Sequence, residues 1–342
     1  MSTVTVVGAG NIGSHLLGHL ARLPEIRRLI VVDPDRYEAK NLPGQDIESS
    51  EVGKPKAQAQ ARRLRRIRRD LEVEAVTARL EDVPPALLKA DVLLTGLDSR
   101  AARQRVNELA WHLNMPWVDA GVNPAEMLAR VTIYVPGPDA ACMECSWSEH
   151  DYRLLEETYP CGTGAVQPGS TDAPSALGAL AAAMQTTECR RILRGDLSGA
   201  ASEVVLAAEG RRLYWTRLQR NPACRFDHRC WPTPCKVSAS EFRLQDALEL
   251  GALRVPGKYF ARSLRCTVCG HRRQTLKLTG ANGRLNARCP KCGGELRVWG
   301  FDLADRLTDE LPASLRRRSL SRLGFRVGDI FQAGESFFEV AA

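Results

Sequence analysis

Residues 4–13 constrain the fold more than any other part of the chain. The run Val4-Thr5-Val6-Val7 leads into Gly8-Ala9-Gly10-Asn11-Ile12-Gly13, a Gly-x-Gly-x-x-Gly pattern that opens a helical pattern. In such a pattern Gly8 permits a tight turn, Gly10 lets backbone N–H groups approach a phosphate, and Gly13 lets the helix pack against the strand. Asp33 ends the next apolar run, 20 residues after Gly13, where a ribose-binding carboxylate is expected. The stretch predicts a nucleotide site.

The first 135 residues alternate strand and helix patterns, as a doubly wound sheet does. Strands are predicted at residues 3–8, 28–33, 72–77, 91–95 and 116–120, and helices near 11–22, 54–69 and 99–113. Residues 127–135 alternate better and predict an added mixed or antiparallel strand. We expect an α/β fold with a Rossmann-like, doubly wound mixed sheet.

The glycine pattern alone does not identify the nucleotide, because ordinary dinucleotide dehydrogenases also begin with it. The charged residues after Asp33 have to distinguish the two kinds of nucleotide. Asp35 and Lys56 follow in the next segment, and Asp98 stands at the carboxyl end of the fourth predicted strand. Ligands of open α/β sheets bind outside that edge. Mg²⁺ is typically held by one or two carboxylates plus substrate phosphates, and a lysine neutralises phosphate charge. The combination predicts Mg-ATP rather than a nicotinamide cofactor.

Several further motifs occur in order along the chain. They are Gly8–Ser14, Asp33-x-Asp35, Asn41-Leu42, Gly53–Lys56, Asp98-x4-Arg103-x3-Asn107, Cys142–Cys145, Cys161–Gly164, a helix around Ala176–Leu193, and Arg220–Cys224. Together they resemble the adenylation domain of the ubiquitin-activating-enzyme superfamily, which includes the bacterial sulfur-carrier adenylyltransferases of thiamine and molybdopterin synthesis. The resemblance covers roughly residues 1–235.

The resemblance implies a reaction in which the C-terminal carboxylate of a ubiquitin-like protein attacks the α-phosphate of ATP. It implies that Asp33 binds the ribose, Lys56 the phosphates and Asp98 magnesium. The nucleotide-site residues expected on this basis are Gly8, Gly10, Asn11, Gly13, Asp33, Asp35, Asn41, Lys56, Asp98 and Arg103. Cys161 matches the thiol with which several relatives accept the activated carboxyl group, and a structural thiol is the alternative.

Two departures from the family pattern concern arginines. Gly44 occupies the position of the arginine in the Asn-Leu-x-Arg-Gln run of relatives. The N-terminal helix that usually carries another ATP-contacting arginine is also missing. Arg36, Lys40 or Lys54, or an associated protein, are the candidates to supply the charge.

Four cysteines form a strong zinc signature in the last third of the chain. Cys266-Thr267-Val268-Cys269 and Cys289-Pro290-Lys291-Cys292 are two C-x-x-C knuckles separated by 19 residues. They predict a zinc ribbon that stabilises a C-terminal module.

A second zinc site is predicted from cysteines farther apart. Cys142 and Cys145 form its first half, and Cys224 follows later, as in the structural zinc of the relatives. His228 would complete the site with C-x3-H spacing, and Cys230 is the rival fourth ligand.

The net charge of +8 includes six arginines between Arg62 and Arg69. Ala59, Leu64, Ile67 and Leu71 form an apolar stripe that predicts an amphipathic helix with a solvated face. Nucleic acid is therefore the less favoured partner, although for the ribbon it stays open beside protein contact. No membrane span or secretory signal is recognised, and we expect a cytoplasmic protein.

We predict two domains, an adenylation domain of residues 1–238 and a zinc-ribbon module of residues 239–342. Short helices are expected in residues 241–260 and 301–323, and a closing β-hairpin in residues 324–340. The predicted function is activation of a ubiquitin-like protein, by adenylation and then a thioester, for transfer to a ubiquitin-conjugating-like enzyme in a bacterial antiphage system. A homodimer is expected by resemblance. The alternatives are a sulfur-carrier adenylyltransferase, a weakly catalytic scaffold and, as an outsider, an NAD-dependent dehydrogenase.

Overall fold

The structure is a computed structural model that describes residues 2–156, 173–280, 285, 287–298 and 302–342. The chain divides into two compact units, Met1–Leu80 with Lys89–Cys230 and Glu81–Leu88 with Trp231–Ala342. The boundary expected after residue 238 falls inside the second unit. The assignment of residues 1–238 and 239–342 as separate domains stays a prediction.

The first unit is built on one large mixed sheet. Its strands are β1 (Ser2–Val7), β2 (Ile26–Val32), β3 (Glu72–Val76), β4 (Val92–Thr95), β5 (Trp117–Asn123), β6 (Leu128–Tyr134), β7 (Ser202–Ala207) and β8 (Arg212–Arg217). They are ordered β3-β2-β1-β4-β5-β6-β7-β8. The five strands from β3 to β5 in this order are parallel, and β6, β7 and β8 continue the sheet in antiparallel fashion. This confirms the predicted α/β fold with a doubly wound mixed sheet.

The functional edge of this sheet follows from its strand order. β1 lies between β2 and β4, so the chain moves away from β1 in opposite directions at this point. In open α/β sheets such a reversal creates a crevice at the carboxyl ends of the strands. The glycine pattern directly follows β1, and Asp98 comes three residues after the end of β4.

Five α-helices of this unit occur in the described residues. They are α1 (Asn11–Leu20), α2 (Lys56–Ile67), α3 (Arg100–His112), α4 (Glu149–Glu156) and α5 (Ser175–Leu193). Small residues let α5 approach α1 closely, because Ala181 and Ala182 are buried and a Cβ added at Gly178 would lie 2.3 Å from the Asn11 Oδ1. This packing holds the start of α1 in place above the sheet.

The arginine-rich helix α2 is amphipathic, as predicted. Ala59 and Leu64 are buried, as is Leu71 after the helix, whereas Ile67 is half-buried. Arg62 and Arg66 are exposed. The apolar stripe therefore anchors the helix on the sheet and leaves a basic face in water.

The second unit contains short strands and helices. They are β9 (Cys235–Ser238), α6 (Leu244–Leu250), β10 (Leu253–Arg254), β11 (Lys258–Cys266), β12 (Arg272–Gly280), β13 (Leu296–Val298), β14 (Leu303–Ala304), β15 (Arg306–Leu307), α7 (Ala313–Arg316), α8 (Leu320–Leu323), β16 (Ile330–Ala333) and β17 (Ser336–Ala341). One sheet has the order β15-β10-β16-β17-β9, and in the other β11 lies between β12 and β13 and also pairs with β14.

The expected helices of this region are only partly correct. In residues 241–260 the helix ends at Leu250, because Gly251 has a φ of +136°, and strand structure follows from Leu253. In residues 301–323 two short helices form, but β14 and β15 precede them. The closing hairpin is present as β16 and β17 and starts at Ile330, later than expected.

None of the helices in the described residues is both long enough and apolar enough to span a bilayer.

Candidate nucleotide site and cysteine clusters

The glycine loop has the close contacts that its pattern requires. Gly8 has a φ of +98°, and a Cβ there would lie 2.8 Å from the carbonyl oxygen of Gly96. A Cβ on Gly13 would lie only 1.9 Å from the Gly8 carbonyl oxygen. At Gly10 the nearest atom to an added Cβ is the Gln45 Nε2, at 4.0 Å. Two glycines are thus needed by the fold, and the third leaves open space at the start of α1.

Asp33 fastens the glycine loop to the end of β2. Its two carboxylate oxygens accept hydrogen bonds from the backbone N–H groups of Ala9, at 2.7 Å, and Asp35, at 2.8 Å. The residue is 4% exposed, and burial raises the pKa of the Asp33 carboxyl, an effect that the Lys56 ammonium opposes. Asp33 therefore shapes the loop, and its contact with a ribose stays a prediction.

Lys56 places an ammonium group beside the same loop. It is the first residue of α2, its side chain is largely buried, and its Nζ lies 3.2 Å from the Asp35 carboxylate. The ammonium also sits 5.9 Å from the ring centroid of Tyr37, whose hydroxyl donates to the Ala9 carbonyl oxygen. Lys56, Asp35 and Asp33 are thus brought together near the glycine loop, as the sequence predicted.

The side chains of Asn11 and Asn41 form hydrogen bonds with neighbouring backbone groups. The Asn11 Nδ2 donates to the carbonyl oxygens of Gly44 and Ala173, and the Asn41 Oδ1 accepts from the Glu38 N–H. A Cβ on Gly44 would lie 3.0 Å from the Ala173 carbonyl oxygen. A side chain at this position, which carries arginine in the family pattern, would therefore make a tight contact with neighbouring backbone.

Asp98 and Arg103 lie at the carboxyl ends of β4 and β5. Asp98 is exposed, and none of the residues that the structure describes forms an ion pair with it. The Arg103 Nε lies 3.1 Å from the carboxylate of Asp119, a residue of β5 that is 2% exposed. The Asp119 Oδ1 also accepts from the Thr95 hydroxyl at 2.7 Å.

A second arginine joins this network and was missed by sequence reasoning. The Arg130 Nη2 lies 3.2 Å from Asp119, and the Arg130 Nη1 lies 3.1 Å from Glu203. A Cβ on Gly121 would lie 3.2 Å from the Arg130 Nη2 and 3.3 Å from the Arg103 Nη2, so both guanidinium groups approach this glycine. An aspartate within the apolar run of β5 was the available signal, because a buried carboxylate requires a partner.

Gln185 of α5 links β4 and β5 beside the Asp119 network. This residue is fully buried, and its Nε2 donates to the carbonyl oxygens of Thr95, at 2.9 Å, and Val118, at 2.7 Å. Side chains from β4, β5, β6, α3 and α5 therefore form one polar cluster at this end of the sheet, here called the polar wall: Thr95, Asp119, Arg130, Arg103 and Gln185.

The first cysteine cluster consists of Cys142, Cys145, Cys224 and His228. Their potential ligand atoms all lie within 4.8 Å of one another, with Cys142 Sγ 3.8 Å from Cys224 Sγ. Ligands about 2.3 Å from a tetrahedral zinc would be about 3.8 Å apart, so the donor set fits that metal. Zinc binding there stays a prediction.

The histidine of this cluster is oriented for coordination. The His228 Nδ1 lies 2.8 Å from the Phe226 carbonyl oxygen, which leaves its Nε2 facing Cys145 Sγ at 3.3 Å. Cys230 is exposed and lies outside the group. The structure thus brings together the set with His228 and not its rival.

The second cluster joins Cys266, Cys269, Cys289 and Cys292, again within 4.8 Å. Hydrogen bonds from the backbone N–H groups of Cys269 and Val268 lower the pKa of Cys266 to about 6, which favours the thiolate that zinc binds. Gly270 and Gly293, with φ of +71° and +73°, follow the two knuckles and allow the chain to turn. The cluster could hold zinc.

The remaining cysteines fall elsewhere. Cys161 lies outside the described residues, so its expected role stays a prediction. Cys189 is buried in α5, and Cys235 is exposed.

A cavity of about 330 Å³ lies beside the first cysteine cluster and away from the glycine loop. Gln104, Glu144, Tyr152 and Phe226 contribute to its walls. Because none of the expected nucleotide-site residues lines it, we do not assign the nucleotide to this cavity.

A family model described as the ThiF family matches residues 1–226. The SAMP-activating enzyme E1 of Haloferax volcanii is 31% identical over 43% of this chain and 54% of its own length. The sulfur carrier protein ThiS adenylyltransferase of Escherichia coli is 28% identical over 44% of this chain and 59% of its own. The chain thus spans about half the length of the curated relatives it matches.

A crystal structure of Escherichia coli MccB with ATP is similar in fold. It matches with a TM-score of 0.52 and 22% sequence identity over 66% of each chain. At this identity the likeness establishes the fold of the matched region.

Proposed function

The chain belongs to the ThiF family, and from this premise we propose that it is an ATP-dependent adenylyltransferase for the C-terminus of a ubiquitin-like protein. The family membership agrees with the ubiquitin-activating-enzyme resemblance of the sequence motifs. The proposal concerns the first unit, whose residues carry those motifs.

The observation that carries the proposal is the open space at Gly10 on the crevice edge of the sheet. Gly8 and Gly13 are committed to backbone contacts, whereas Gly10 leaves room for a phosphate at the N-terminus of α1. Helix N-termini offer unpaired N–H groups and a favourable dipole to anions. Lys56 adds a positive charge nearby. The site therefore suits a polyphosphate.

Asp98 is the residue that we assign to the magnesium ion accompanying ATP. Its carboxylate is exposed at the carboxyl end of β4, and Mg²⁺ typically takes one or two protein carboxylates together with substrate phosphates. The ion would neutralise charge on the phosphates. Asp119 is unsuited to this role because Arg103 and Arg130 already neutralise it.

Arg103 and Arg130 are the cations that we assign in place of the family arginine at Gly44. Their guanidinium groups meet at Gly121, on the edge of the sheet that binds ligands, and remaining N–H groups are available for an anionic substrate. Of the earlier candidates, Arg36 donates through Nη1 to the Gly53 carbonyl oxygen and Lys40 pairs with Glu38 on the surface, whereas the exposed Lys54 stays a candidate beside Arg103 and Arg130.

The proposed reaction has two steps. The substrate carboxylate attacks the α-phosphorus, the bond between the α-phosphorus and the bridging oxygen breaks, and pyrophosphate leaves. A thiolate then attacks the acyl carbon, and AMP leaves with the electron pair of the carbon–oxygen bond. Positioning and charge stabilisation by the protein are sufficient for the first step.

We assign the second step to Cys161, from which the substrate would pass to a ubiquitin-conjugating-like enzyme. We further propose that the protein is a homodimer and that it serves a bacterial antiphage conjugation system. The motif match of Cys161 supports this assignment. The alternative is a sulfur-carrier adenylyltransferase, which would pass the adenylate to a sulfur donor. It is favoured by the similarity to the ThiS adenylyltransferase of Escherichia coli.

Pyrophosphate exchange tests the proposal. Labelled pyrophosphate should enter ATP when the protein is mixed with a ubiquitin-like protein from the same genome, and Asp98→Ala should abolish the exchange. Cys161→Ala should retain exchange but lose any thioester that reducing agents cleave, whereas the control Cys235→Ala, which removes an exposed thiol outside both cysteine clusters, should lose neither. Absence of exchange with every such protein would contradict adenylation. Exchange by the wild type without a thioester would favour the sulfur-carrier alternative.

A further inference from the structure

The positive charge of the protein is concentrated in the segment that carries the second cysteine cluster. Residues 258–298 contain ten lysines and arginines and one acid, Glu295, whereas the whole chain contains 48 basic and 40 acidic residues. The other 301 residues therefore hold 38 basic and 39 acidic residues and are almost neutral. The segment therefore carries an excess of nine positive charges, whereas the six arginines of residues 62–69 are balanced by acids elsewhere in the rest of the chain.

The charge excess survives the ion pairs that the structure shows. Lys258 forms a buried pair with Asp329, Arg272 pairs with Asp302, and Arg297 pairs with Glu295. A zinc bound by four thiolates would carry two negative charges. Ten basic residues, less the three paired acids (Glu295 in the segment, Asp302 and Asp329 outside it) and the two charges of the zinc site, leave about five positive charges, so the formal charge of the segment stays positive.

Three arginines form a row across one face of the small sheet. Strand register places Arg265 directly opposite Arg272 on β12 and directly opposite Arg297 on β13. Residues directly opposite on neighbouring strands point to the same face, with Cβ atoms about 5 Å apart. Leu264, Cys266 and Leu296 occupy the other face and form the core of the segment. The arginine row, Arg272, Arg265 and Arg297, therefore lies on the solvent face, where all three are exposed.

Like charges directly opposite destabilise a sheet, and in this row Asp302 pairs with Arg272 and Glu295 pairs with Arg297. The surplus positive charge of the face therefore comes from the basic residues of the whole segment and not from these three arginines alone. The described part of the segment exposes only two large apolar side chains, Tyr259 and Val268. Protein interfaces normally have an apolar core, whereas binding to a phosphate backbone requires cations and little apolar area. Seven of the ten basic residues are arginines, whose planar fork suits phosphates.

We propose that the face of the zinc-ribbon segment carrying the arginine row binds the phosphate backbone of nucleic acid without sequence selectivity. The basic region at α2 differs, because three of its six arginines, Arg63, Arg65 and Arg68, already donate hydrogen bonds to neighbouring residues of the protein. The inference is independent of the proposed adenylation.

Salt-dependent binding of the full-length, zinc-loaded protein tests this. The probe is a fluorescent DNA duplex of about 20 base pairs, with a single-stranded RNA of the same length in a second arm. For a duplex, log Kobs should fall linearly with log salt, by about 0.9 per phosphate contact. Arg265→Gln/Arg272→Gln/Arg297→Gln should reduce this slope by about 2.7 and weaken binding up to about 500-fold at 0.1 M salt.

A matched control removes three charges elsewhere. Arg62→Gln/Arg66→Gln/Arg69→Gln changes exposed residues of and after α2 and should leave the affinity and slope unchanged. If the row variant loses zinc or unfolds, Arg262→Gln/Arg288→Gln replaces it, because these exposed arginines form no ion pair within the described residues. Retained zinc with weakened binding to either probe supports the proposal.

Three results would overturn it. One is equal weakening by the control and row variants, which would indicate net charge alone. Another is no binding to either probe at 0.1 M salt. The third is competition by polyglutamate equal to that by DNA at the same charge concentration, which would assign the face to an acidic protein.

Discussion

Replacing Gly10 with alanine should separate nucleotide binding from folding. The added Cβ would meet its nearest neighbour, Gln45, at 4.0 Å, which is ordinary contact distance. The fold should therefore lose about 1 kcal/mol or less, the usual size of a change at a helix N-cap. The methyl group would, however, occupy the space through which the backbone at the start of α1 receives a phosphate.

The neighbouring Gly13→Ala is the contrasting variant. Its Cβ would lie 1.9 Å from the Gly8 carbonyl oxygen, so backbone must move. Overpacking typically costs 1–3 kcal/mol, and this overlap should cost about 3 kcal/mol or more. Gly13→Ala should therefore reduce the stability of the protein without ligand by much more than Gly10→Ala does.

Thermal unfolding with and without Mg-ATP measures both effects. A ligand at 100 times its Kd adds about 2.7 kcal/mol to stability. For a unit of this size that corresponds to an increase in Tm of about 5–11 °C. The wild type should show this increase, and Gly10→Ala should show a Tm without ligand within about 4 °C of the wild type and no increase with ATP. A full ATP-dependent increase in Gly10→Ala would refute the assignment of Gly10 to the phosphate site.

Three further predictions address the metal clusters, the phosphate site and the second unit. The purified protein should contain two zinc ions by elemental analysis. His228→Ala should lose one of them and Cys230→Ser should keep both, because only the histidine belongs to the first cluster. Two zinc ions in His228→Ala would contradict this. Lys56→Ala should slow pyrophosphate exchange about 10²–10³-fold, the usual effect of removing one electrostatic donor, and an unchanged rate would exclude Lys56 from the phosphate site. Asp329→Ala should destabilise the second unit by about 3–5 kcal/mol in denaturant titration, because it leaves the buried Lys258 ammonium unpaired, and a change below about 1 kcal/mol would show that the pair is replaceable.

The glycine loop and the parallel strands were predictable because their signals are local. The predicted strand at residues 28–33 is observed as Ile26–Val32, and that at 116–120 as Trp117–Asn123. Apolar runs of this length bounded by turn residues suffice to locate strands in a sheet covered on both faces. The strand–turn–helix context of Gly8, Gly10 and Gly13 then defined the nucleotide edge.

The polar wall was not predictable because it depends on strand register. Arg130 lies opposite Gly121 on β5, and Thr132 lies between Asp119 on β5 and Glu203 on β7. These residues are far apart in sequence and meet only after the antiparallel strands have paired. Nothing in the spacing of Arg130 distinguishes it from a surface arginine.

In the C-terminal region, prediction failed for a different reason, which is that the local sequence pattern fitted a helix and a strand equally well. Residues 258–266 bury two positions out of three, which resembles a helix pattern as much as a strand pattern. Pairing on both sides of β11 resolves the ambiguity in favour of a strand. The sequence was also ambiguous between His228 and Cys230 as the fourth ligand, because both spacings occur in zinc sites. The structure decides between them, since the His228 Nε2 lies next to Cys145 Sγ.

Calorimetric titration of the full-length protein with Mg-ATP and, separately, with NAD tests the central claim most directly. The account predicts saturable binding of Mg-ATP at one site per chain that is lost in Gly10→Ala, and no binding of NAD at the same concentrations. The reason is that Lys56 and Asp98 provide for phosphates and magnesium at the crevice edge. Tight binding of NAD with no heat from Mg-ATP would contradict it.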